Sequence, residues 1–421
     1  MKYEHLYRYL NEICSKLGNT IEKEMFRKCY LNTLETTVEY DEGDAFIKTG
    51  DIPAMWLRDS SVQVSHYVRL AGIDPDIRMF IRSMLHRQFE CILIDPYANA
   101  FNKTANGMGH KDITLNNDHV WERKYELDSL IYPLWLVNKY YMYTKDAGVF
   151  DDLFFEALGL MVKTMKIEQH HDELSTYSFK RVGEFSYDTL ENDGKGAKTG
   201  YTGMVWSAFR PSDDRCKYHY LIPANMFASV TLKKLLDNME NAKVDCPYRT
   251  DIETLVDQID EGIQKYGIIH SESGDIYAYE VDGLGNVSFM DDANVPSLMS
   301  LPYLDYCAPD DPIYLNTRRA VLSEKNPFYY EGKYAKGVGS PHTPDNYVWH
   351  IALIIQALTS LDKEEKAEIR EVLKNTTAGT LFMHEGFNVN EPMEFTREWF
   401  AWANTLYAIF VIDVVMNDYD L

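Results

Sequence analysis

The segment FTREWFAWANTLYAIFVIDVVMN, residues 395–417, is apolar around most of its circumference when it is read as a helix. A surface helix has one apolar stripe, whereas a helix that is apolar on nearly all sides is buried. Residues 345–358 have the same buried character, but residues 362–375 carry charged side chains on one face. The sequence therefore predicts inner helices that are covered by outer ones.

Helical periodicity recurs along the chain, and no Gly/Ser linker, low-complexity segment or Pro-rich hinge interrupts it. We expect one all-α domain, residues 1–421, in which two concentric rings of helices form a toroid around a central cavity. Residues 180–210 and 268–290 are rich in Gly, Tyr, Phe and Val, and predict short β-hairpin insertions in the loops. The predicted helices are residues 3–18, 20–39, 59–71, 75–94, 125–144, 149–171, 219–240, 251–266, 311–323, 345–360, 362–375 and 395–417.

Composition and charge restrict the class of partner. A net charge of −23 argues against nucleic acid, anionic membranes and polyanionic sugars, so a neutral ligand fits best. No apolar stretch reaches the roughly 20 residues of a membrane span, and the first seven residues, MKYEHLY, lack the apolar core of a signal peptide. The six cysteines contain no Cys-x-x-Cys pair, so we expect reduced thiols, a cytoplasmic location and no zinc. The oligomeric state is not specified.

Residues 50–60, GDIPAMWLRDS, alternate ionisable side chains with apolar and aromatic ones. Asp51, Arg58 and Asp59 resist burial unless they are paired or bind a polar ligand. Carboxylates and arginine bind vicinal hydroxyls through charge-assisted hydrogen bonds, and the Trp56 ring can cover the apolar face of a sugar. The alternative is an Arg–Asp pair that braces a loop.

A second polar and aromatic cluster lies before the helix predicted at residues 125–144. Trp121, Glu122 and Arg123 are candidates for contacts with sugar hydroxyls. The alternative is a solvated helix start in which Arg123 and Lys124 neutralise the acids.

Adjacent carboxylates occur in FRPSDD, residues 209–214, just before a buried helix. One of Asp213 and Asp214 can cap that helix. The other can face a cavity with a raised pKa and act as a general acid. In the alternative interpretation both carboxylates cap the helix.

Three further segments repeat the pattern of an acid or histidine, a glycine and an aromatic residue before an apolar helix. They contain Asp292, His342, and Glu385 with Trp402. Such clusters converge if the inner helices share one mouth. The sequence has no Gly-x-Ser-x-Gly elbow and no phosphate-binding loop, so the remaining chemistry is that of paired carboxylates in an aromatic pocket, as in glycoside hydrolysis.

Together these motifs resemble glycoside hydrolase family 125, the exo-acting α-1,6-mannosidases. The resemblance runs from about residue 44 to 410 and implies an (α/α)6 barrel with the active site at its mouth. It also implies hydrolysis of non-reducing terminal α-1,6-linked mannose with inversion. The matching blocks are residues 50–60, 120–126 (VWERKYE), 209–214, 291–297 (DDANVPS), 339–344 (GSPHTP), 384–387 (HEGF) and 399–404 (WFAWAN).

The resemblance implies a general acid at Asp214, with Asp213 as the alternative within its block, and a general base at Glu385. With the negative charge of the chain, it predicts a neutral mannose-containing oligosaccharide as partner. We expect no metal or cofactor, because the carboxylates have arginine and aromatic neighbours and lack an oxygen cage. The alternatives are another (α/α)6 exo-glycosidase, a glycoside phosphorylase with phosphate bound by Arg210 and His342, a sugar-binding protein without activity, and a helical scaffold. The expected substrate-binding residues are Asp51, Trp56, Arg58, Asp59, Trp121, Glu122, Arg123, Arg210, Asp292, His342 and Trp402.

Overall fold

The computed structural model describes residues 3–41, 43–183, 185–271 and 274–417, and it is predominantly helical. Every helix predicted from periodicity has a counterpart, although the boundaries differ by several residues. The two ends of the predicted domain, residues 1–2 and 418–421, lie outside the described residues. The α-helices are α1 (Glu4–Lys16), α2 (Ile21–Asn32), α3 (Leu57–Gln63), α4 (Pro75–Ile94), α5 (Leu127–Thr144), α6 (Asp152–Glu168), α7 (His171–Leu174), α8 (Ile222–Ala242), α9 (Arg249–Tyr266), α10 (Pro312–Val321), α11 (His350–Leu358), α12 (Lys363–Asn375) and α13 (Ala401–Asn417).

Short antiparallel sheets fill the loops between the helices. They are β1 (Val38–Asp41) with β2 (Asp44–Ile47); β3 (Met55–Trp56), β4 (Ala100–Phe101) and β5 (Val120–Glu122); β6 (Tyr220–Leu221), β9 (Glu280–Val281) and β10 (Val287–Ser288); β7 (Ile268–Ile269) with β8 (Ile276–Tyr277); β11 (Tyr329–Glu331) with β12 (Lys336–Val338); and β13 (Tyr347–Trp349), β14 (Gly386–Asn388) and β15 (Phe395–Thr396).

The hairpins predicted at residues 268–290 are confirmed as β7–β8 and β9–β10. The hairpin predicted at residues 180–210 is wrong. In its described part, residues 180–183 and 185–210, Lys180 makes an isolated bridge to Ile113 and Phe209 makes one to Arg215, and two single 3₁₀ turns lie between them. The Gly and Asn residues of this segment favour left-handed turns over a strand pair.

The predicted difference in burial between the apolar and the charged helices is confirmed. All residues of α13 from Ala401 to Ala408 are buried, whereas α12 buries only Ile369 and Leu373. Helix α13 begins six residues later than predicted, because Phe395 and Thr396 pair with Gly386 and Phe387 in β14–β15.

The starts of the apolar helices are tied together by the small sheets. Strand β3 leads into α3, β6 into α8 and β13 into α11, while β5 and β15 lie a few residues before α5 and α13. Helix α13 packs against α3 and α11, and α5 packs against α3 and α8, so the helix starts meet on one side of the molecule. Most buried apolar residues from Leu6 to Val415 form one large core beneath them, and Ala54, Trp56 and Ala100 form a small separate cluster.

None of the helices within residues 3–41, 43–183, 185–271 and 274–417 combines the length and apolarity that a bilayer crossing requires. All six cysteines fall in these ranges and are free thiols.

Candidate active site

A cavity of about 420 Å³, measured out to its open mouth, lies where the helix starts converge. Segments far apart in the chain contribute to it, as the repeated sequence pattern predicts. Its lining consists of Thr49, Ile52, Trp56, Arg58, Asp59, Pro211, Ser212, Asp213, Asn294, His342, Trp349, Glu385, Arg397, Phe400 and Trp402.

Two carboxylates from different segments reach this cavity beside its arginines. The Asp213 side chain is 28% exposed and accepts a hydrogen bond from Arg58 Nη2 at 3.2 Å. Glu385 lies next to β14 with its side chain 10% exposed, and its Oε1 is 3.4 Å from Arg397 Nε. Together with Asp59 the cavity holds three acids, of which Asp213 lies beside Arg58 and Glu385 beside Arg397.

Asp214 is oriented away from the cavity. Its side chain is 1% exposed, and its oxygens contact Arg210 Nη2 at 3.2 Å, Ser212 Oγ at 3.2 Å and His342 Nδ1 at 3.1 Å. The chain turns tightly here, because Asp213 adopts a left-handed φ of 65° and its N–H donates to the Arg210 carbonyl at 2.8 Å. The turn gives the two adjacent carboxyls opposite directions, with Asp213 toward the cavity and Asp214 toward the protein.

Arg58 is the centre of a buried acidic cluster. Its Nη1 donates to Glu126 Oε2 at 2.7 Å and to Asp128 Oδ2 at 3.1 Å, and its Nε lies 3.7 Å from Asp59 Oδ2. The Arg58 side chain is only 3% exposed. Burial opposes its charge, but Glu126 and Asp128 raise the Arg58 pKa, so the guanidinium stays protonated.

The acids of this cluster differ in their pKa values. Burial raises the pKa of Asp59 to about 6 despite the charge of Arg58. Burial also raises the pKa of Glu126 and Asp128. For Asp213, burial opposes ionisation, but Arg58 and Lys124 outweigh it and lower the pKa. The carboxyls around Arg58 therefore differ in acid strength, because the pKa is raised for Asp59, Glu126 and Asp128 and lowered for Asp213.

His342 supplies positive charge on the opposite wall. Burial lowers the pKa of its imidazole, but the hydrogen bond and charge of Asp214 raise it to about 9. The ring is therefore protonated at neutral pH, with Asp214 as its counter-ion.

Aromatic rings close the inner end of the cavity. Trp56, Trp349 and Trp402 line it, although each is 4% exposed or less. Among the buried donors of the described residues that have no hydrogen-bond partner, Trp56 Nε1, Asn294 Nδ2 and Arg58 Nε belong to residues that line the cavity. Because buried N–H groups are rarely left unpaired, these donors are suited to ligand hydroxyls.

Three of the expected binding residues lie elsewhere. Trp121, Glu122 and Arg123 line a separate cavity formed with residues 107–118. Arg123 Nε contacts Asp95 Oδ2 at 2.6 Å, so Arg123 braces the fold. Glu122 accepts hydrogen bonds from Arg181 Nη2 at 2.7 Å and from Asn99 Nδ2 at 2.8 Å.

Arg210 and Asp292 also lie behind the cavity wall. Arg210 points at Asp214, and Asp292 Oδ2 accepts a hydrogen bond from Ser212 Oγ at 2.9 Å. Asp51, whose side chain is 71% exposed, lies outside the cavity lining and approaches it only through Arg397 Nη1 at 3.8 Å. Of the expected residues, Trp56, Arg58, Asp59, His342, Glu385 and Trp402 line the cavity.

Arg397, Asn294 and Trp349 line the cavity but were absent from the expected binding residues. Arg397 has a left-handed φ of 51°, and its guanidinium lies beside Glu385. Each of these residues lies within or near one of the sequence blocks that carry the family resemblance. Membership of those blocks could therefore have identified them. The sequence pattern does not predict the backbone reversal at Arg397, which sets the direction of the Arg397 side chain.

Across the described part of the chain, no three His, Cys, Asp or Glu side chains form a group that could hold a metal ion. The acidic cluster instead surrounds the guanidinium of Arg58.

A model of the family described as metal-independent alpha-mannosidase (GH125) matches residues 20–412. A Streptococcus pneumoniae metal-independent alpha mannosidase, solved in a non-productive substrate complex with alpha-1,6-mannobiose, is 44% identical. It superimposes with a TM-score of 0.95 over 99% of both chains. The Meiotically up-regulated gene 157 protein of Schizosaccharomyces pombe is 39% identical over 96% of this chain and 84% of its own length. A wild-type glycosidase structure at 12% identity and a TM-score of 0.53, over 94% of this chain and 97% of its own, shares the fold alone. With a family match across nearly the whole chain and a close structural relative, the protein belongs to the metal-independent alpha-mannosidases of family GH125.

Proposed function

We propose that this alpha-mannosidase is an inverting exo-α-1,6-mannosidase, which removes single non-reducing terminal mannose residues from neutral oligosaccharides such as N-glycan or mannan fragments. The observation that carries the proposal is the pairing of Asp213 and Glu385 across one cavity. The α-1,6-mannobiose bound to the S. pneumoniae relative supports the linkage.

Asp213 is the proposed general acid, in place of the Asp214 that the motif alone implied. A general acid must reach the glycosidic oxygen within hydrogen-bond distance. Asp213 lines the cavity, whereas Asp214 is covered and engaged by Arg210, Ser212 and His342. We therefore assign Asp214 to holding the His342 imidazolium in place.

Glu385 is the proposed general base. It accepts a proton from water as the water oxygen attacks the anomeric carbon, while Asp213 protonates the leaving oxygen from the other side of the sugar. Arg397 Nε lies 3.4 Å from Glu385 Oε1 and places a positive charge beside this carboxyl. In this mechanism the configuration at the anomeric carbon inverts in a single displacement.

The terminal mannose is proposed to bind among Trp56, Asp59, Asn294, His342 and Trp402. Asp59 and the imidazolium supply charge-assisted hydrogen bonds. The unpaired donors of Trp56 and Asn294 supply two more, and the indole of Trp402 supplies an apolar wall.

No specific observation favours the phosphorylase alternative. It needs Arg210 and His342 together on a phosphate, yet both side chains are directed at the Asp214 carboxylate. The hydrolase assignment needs only water and the carboxyls of Asp213 and Glu385.

We also propose that the helices form one (α/α)6 domain. Helices α11, α13, α3, α5 and α8 pack in succession, which supports an inner ring. The sixth inner position would be taken by the turns at residues 297–305, where Tyr314 Oη donates to the Met299 carbonyl at 3.0 Å. The cytoplasmic location expected from the free thiols stays a prediction.

A time course on linear α-1,6-mannan tests exo action. Because Trp56, Arg58 and Trp402 close the inner end of the cavity, free mannose should be the product from the first minutes. Chromatography of the products is the measurement, with α-1,2- and α-1,3-linked mannobioses as controls that we expect to be poor substrates. Early accumulation of shorter oligomers would show an open cleft and contradict the proposal.

Chelation should leave the activity unchanged. The carboxylates of the cavity are neutralised by Arg58 and Arg397, and lack the six or more oxygen ligands that calcium requires. Mannose release is to be measured before and after dialysis against EDTA. A loss of activity that calcium restores would contradict this expectation.

A further inference from the structure

Glu126 is a buried carboxyl that the proposed mechanism does not yet use. Its side chain is 0% exposed at the start of α5. Its Oε2 accepts hydrogen bonds from Arg58 Nη1 at 2.7 Å and from Ser129 Oγ at 2.7 Å. Among the described residues no donor reaches its Oε1. The carboxyls of Glu126 and Asp213 share one guanidinium, since Arg58 Nη1 contacts Glu126 at 2.7 Å and Arg58 Nη2 contacts Asp213 at 3.2 Å.

The charges around this pair do not balance. Glu126, Asp128 and Asp213 all contact the single guanidinium of Arg58, and the first two are sealed from water. Carboxyls that crowd around one guanidinium at a buried site cannot all ionise cheaply, so such a pair retains one shared proton. The charged and titratable groups around the pair are Arg58, Asp59, Lys124, Asp128, Cys216 and His342.

We propose that Glu126 is the positioning residue that stores the proton which Asp213 delivers to the leaving oxygen. This inference rests on the proposed role of Asp213 as general acid. The carboxyl pair, and not Asp213 alone, is then the acid of the reaction.

The direction of the pKa values agrees with this geometry. Burial raises the pKa of Glu126, whereas Arg58 and Lys124 outweigh burial and lower the pKa of Asp213. In the free protein the proton therefore rests on Glu126, and the pair titrates as a unit. Without Glu126, Asp213 beside Arg58 would be ionised and unable to act as an acid.

In one turnover every bond that breaks is matched by one that forms, and the stored proton is replaced. The Glu126 O–H bond breaks as an O–H bond forms on Asp213, and that proton passes to the glycosidic oxygen. The C–O bond breaks with its electron pair going to the leaving oxygen, while water bonds to the anomeric carbon and loses a proton to Glu385. Glu385 returns its proton to solvent, and the pair regains one through Asp213, its member that faces the cavity.

Glu126→Gln tests the proposal because the amide keeps the size and a donor but carries no titratable proton. On α-1,6-mannobiose we expect kcat to fall on the order of 10²-fold with little change in KM. On dinitrophenyl α-mannoside, whose leaving group needs no protonation, kcat should stay near that of the wild type. The alkaline limb of the kcat–pH profile should move to lower pH, because the low pKa of Asp213 then governs it.

Asp128→Asn is the matched control, since Asp128 shares Arg58 and the same burial. Its effect should be equal on both substrates and should leave the alkaline limb in place. A Glu126→Gln variant with equal losses on the two substrates and an unmoved limb would show a merely structural role, and would overturn the proposal.

Ser129→Ala provides a milder variant if Glu126→Gln does not fold. Removing the hydroxyl that donates to ionised Glu126 should raise the pKa of the pair and move the alkaline limb to higher pH. An unmoved limb in a folded Ser129→Ala protein counts against the stored proton.

If Asp213→Asn keeps full activity on mannobiose, Asp213 is not the general acid and the inference about Glu126 fails with it. If Asp213→Asn is inactive but the Glu126 and Ser129 variants behave as the wild type, only the inference fails.

Discussion

Asp213→Asn is expected to lower kcat on α-1,6-mannobiose by on the order of 10²–10⁴-fold while KM changes by less than about tenfold. The amide keeps the shape of the side chain but cannot donate a proton to the leaving oxygen. On dinitrophenyl α-mannoside most of the loss should disappear. Steady-state kinetics on the two substrates, with mannose binding measured by calorimetry, checks the expectation.

Asp214→Asn is the control for this prediction, because it alters the neighbouring carboxyl of the same turn. Asp214 holds His342 and does not line the cavity. We therefore expect a smaller loss, of similar size on both substrates. An inactive Asp214→Asn enzyme that the activated substrate rescues, beside an active Asp213→Asn enzyme, would return the acid role to Asp214.

Glu385→Gln is expected to lower kcat by a similar 10²–10⁴-fold, and an activated leaving group should not rescue it. The missing step is proton removal from water, which the leaving group does not affect. Azide, a nucleophile that needs no deprotonation, should restore turnover and give β-mannosyl azide. Glu398→Gln, at an exposed acid of the neighbouring loop, should keep the wild-type rate.

The same assignment predicts the stereochemistry of the wild-type reaction. Water must fit between Glu385 and the anomeric carbon, which requires carboxyls roughly 6.5–9.5 Å apart. Proton NMR during the first turnovers should then detect β-mannose before mutarotation. α-Mannose as the first product would falsify the inverting assignment.

Arg58 lines the cavity as predicted, but its contacts indicate a role other than binding the sugar directly. The run around Trp56 and Arg58 predicted a sugar-binding arginine, and Arg58 does line the cavity. Its guanidinium, however, is used mainly by Glu126 and Asp128, about 70 residues further along the chain. We therefore interpret Arg58 as the group that arranges the acids beneath the sugar, more than as a direct ligand of hydroxyls.

The sequence by itself determined the helical character, the inner and outer helices and the identity of the family. Those features depend on local periodicity and on short contiguous blocks, as in α13, α12 and residues 209–214. The hairpins at residues 268–290 followed from turn residues in the same way. The spacing of apolar residues along the chain predicts which face of a helix is apolar, because the helical repeat is the same in every fold.

Only the tertiary structure decided which members of those blocks face the cavity. The left-handed turns at Asp213 and Arg397 reverse the direction of the next side chain, and adjacent residues then point to opposite sides. Trp121–Arg123, inside a correct block, point to another cavity because Asp95 and Arg181 hold them there. The proton pairing of Glu126 with Asp213 is likewise invisible in the sequence, since it depends on a shared arginine and on burial that only the packed chain creates.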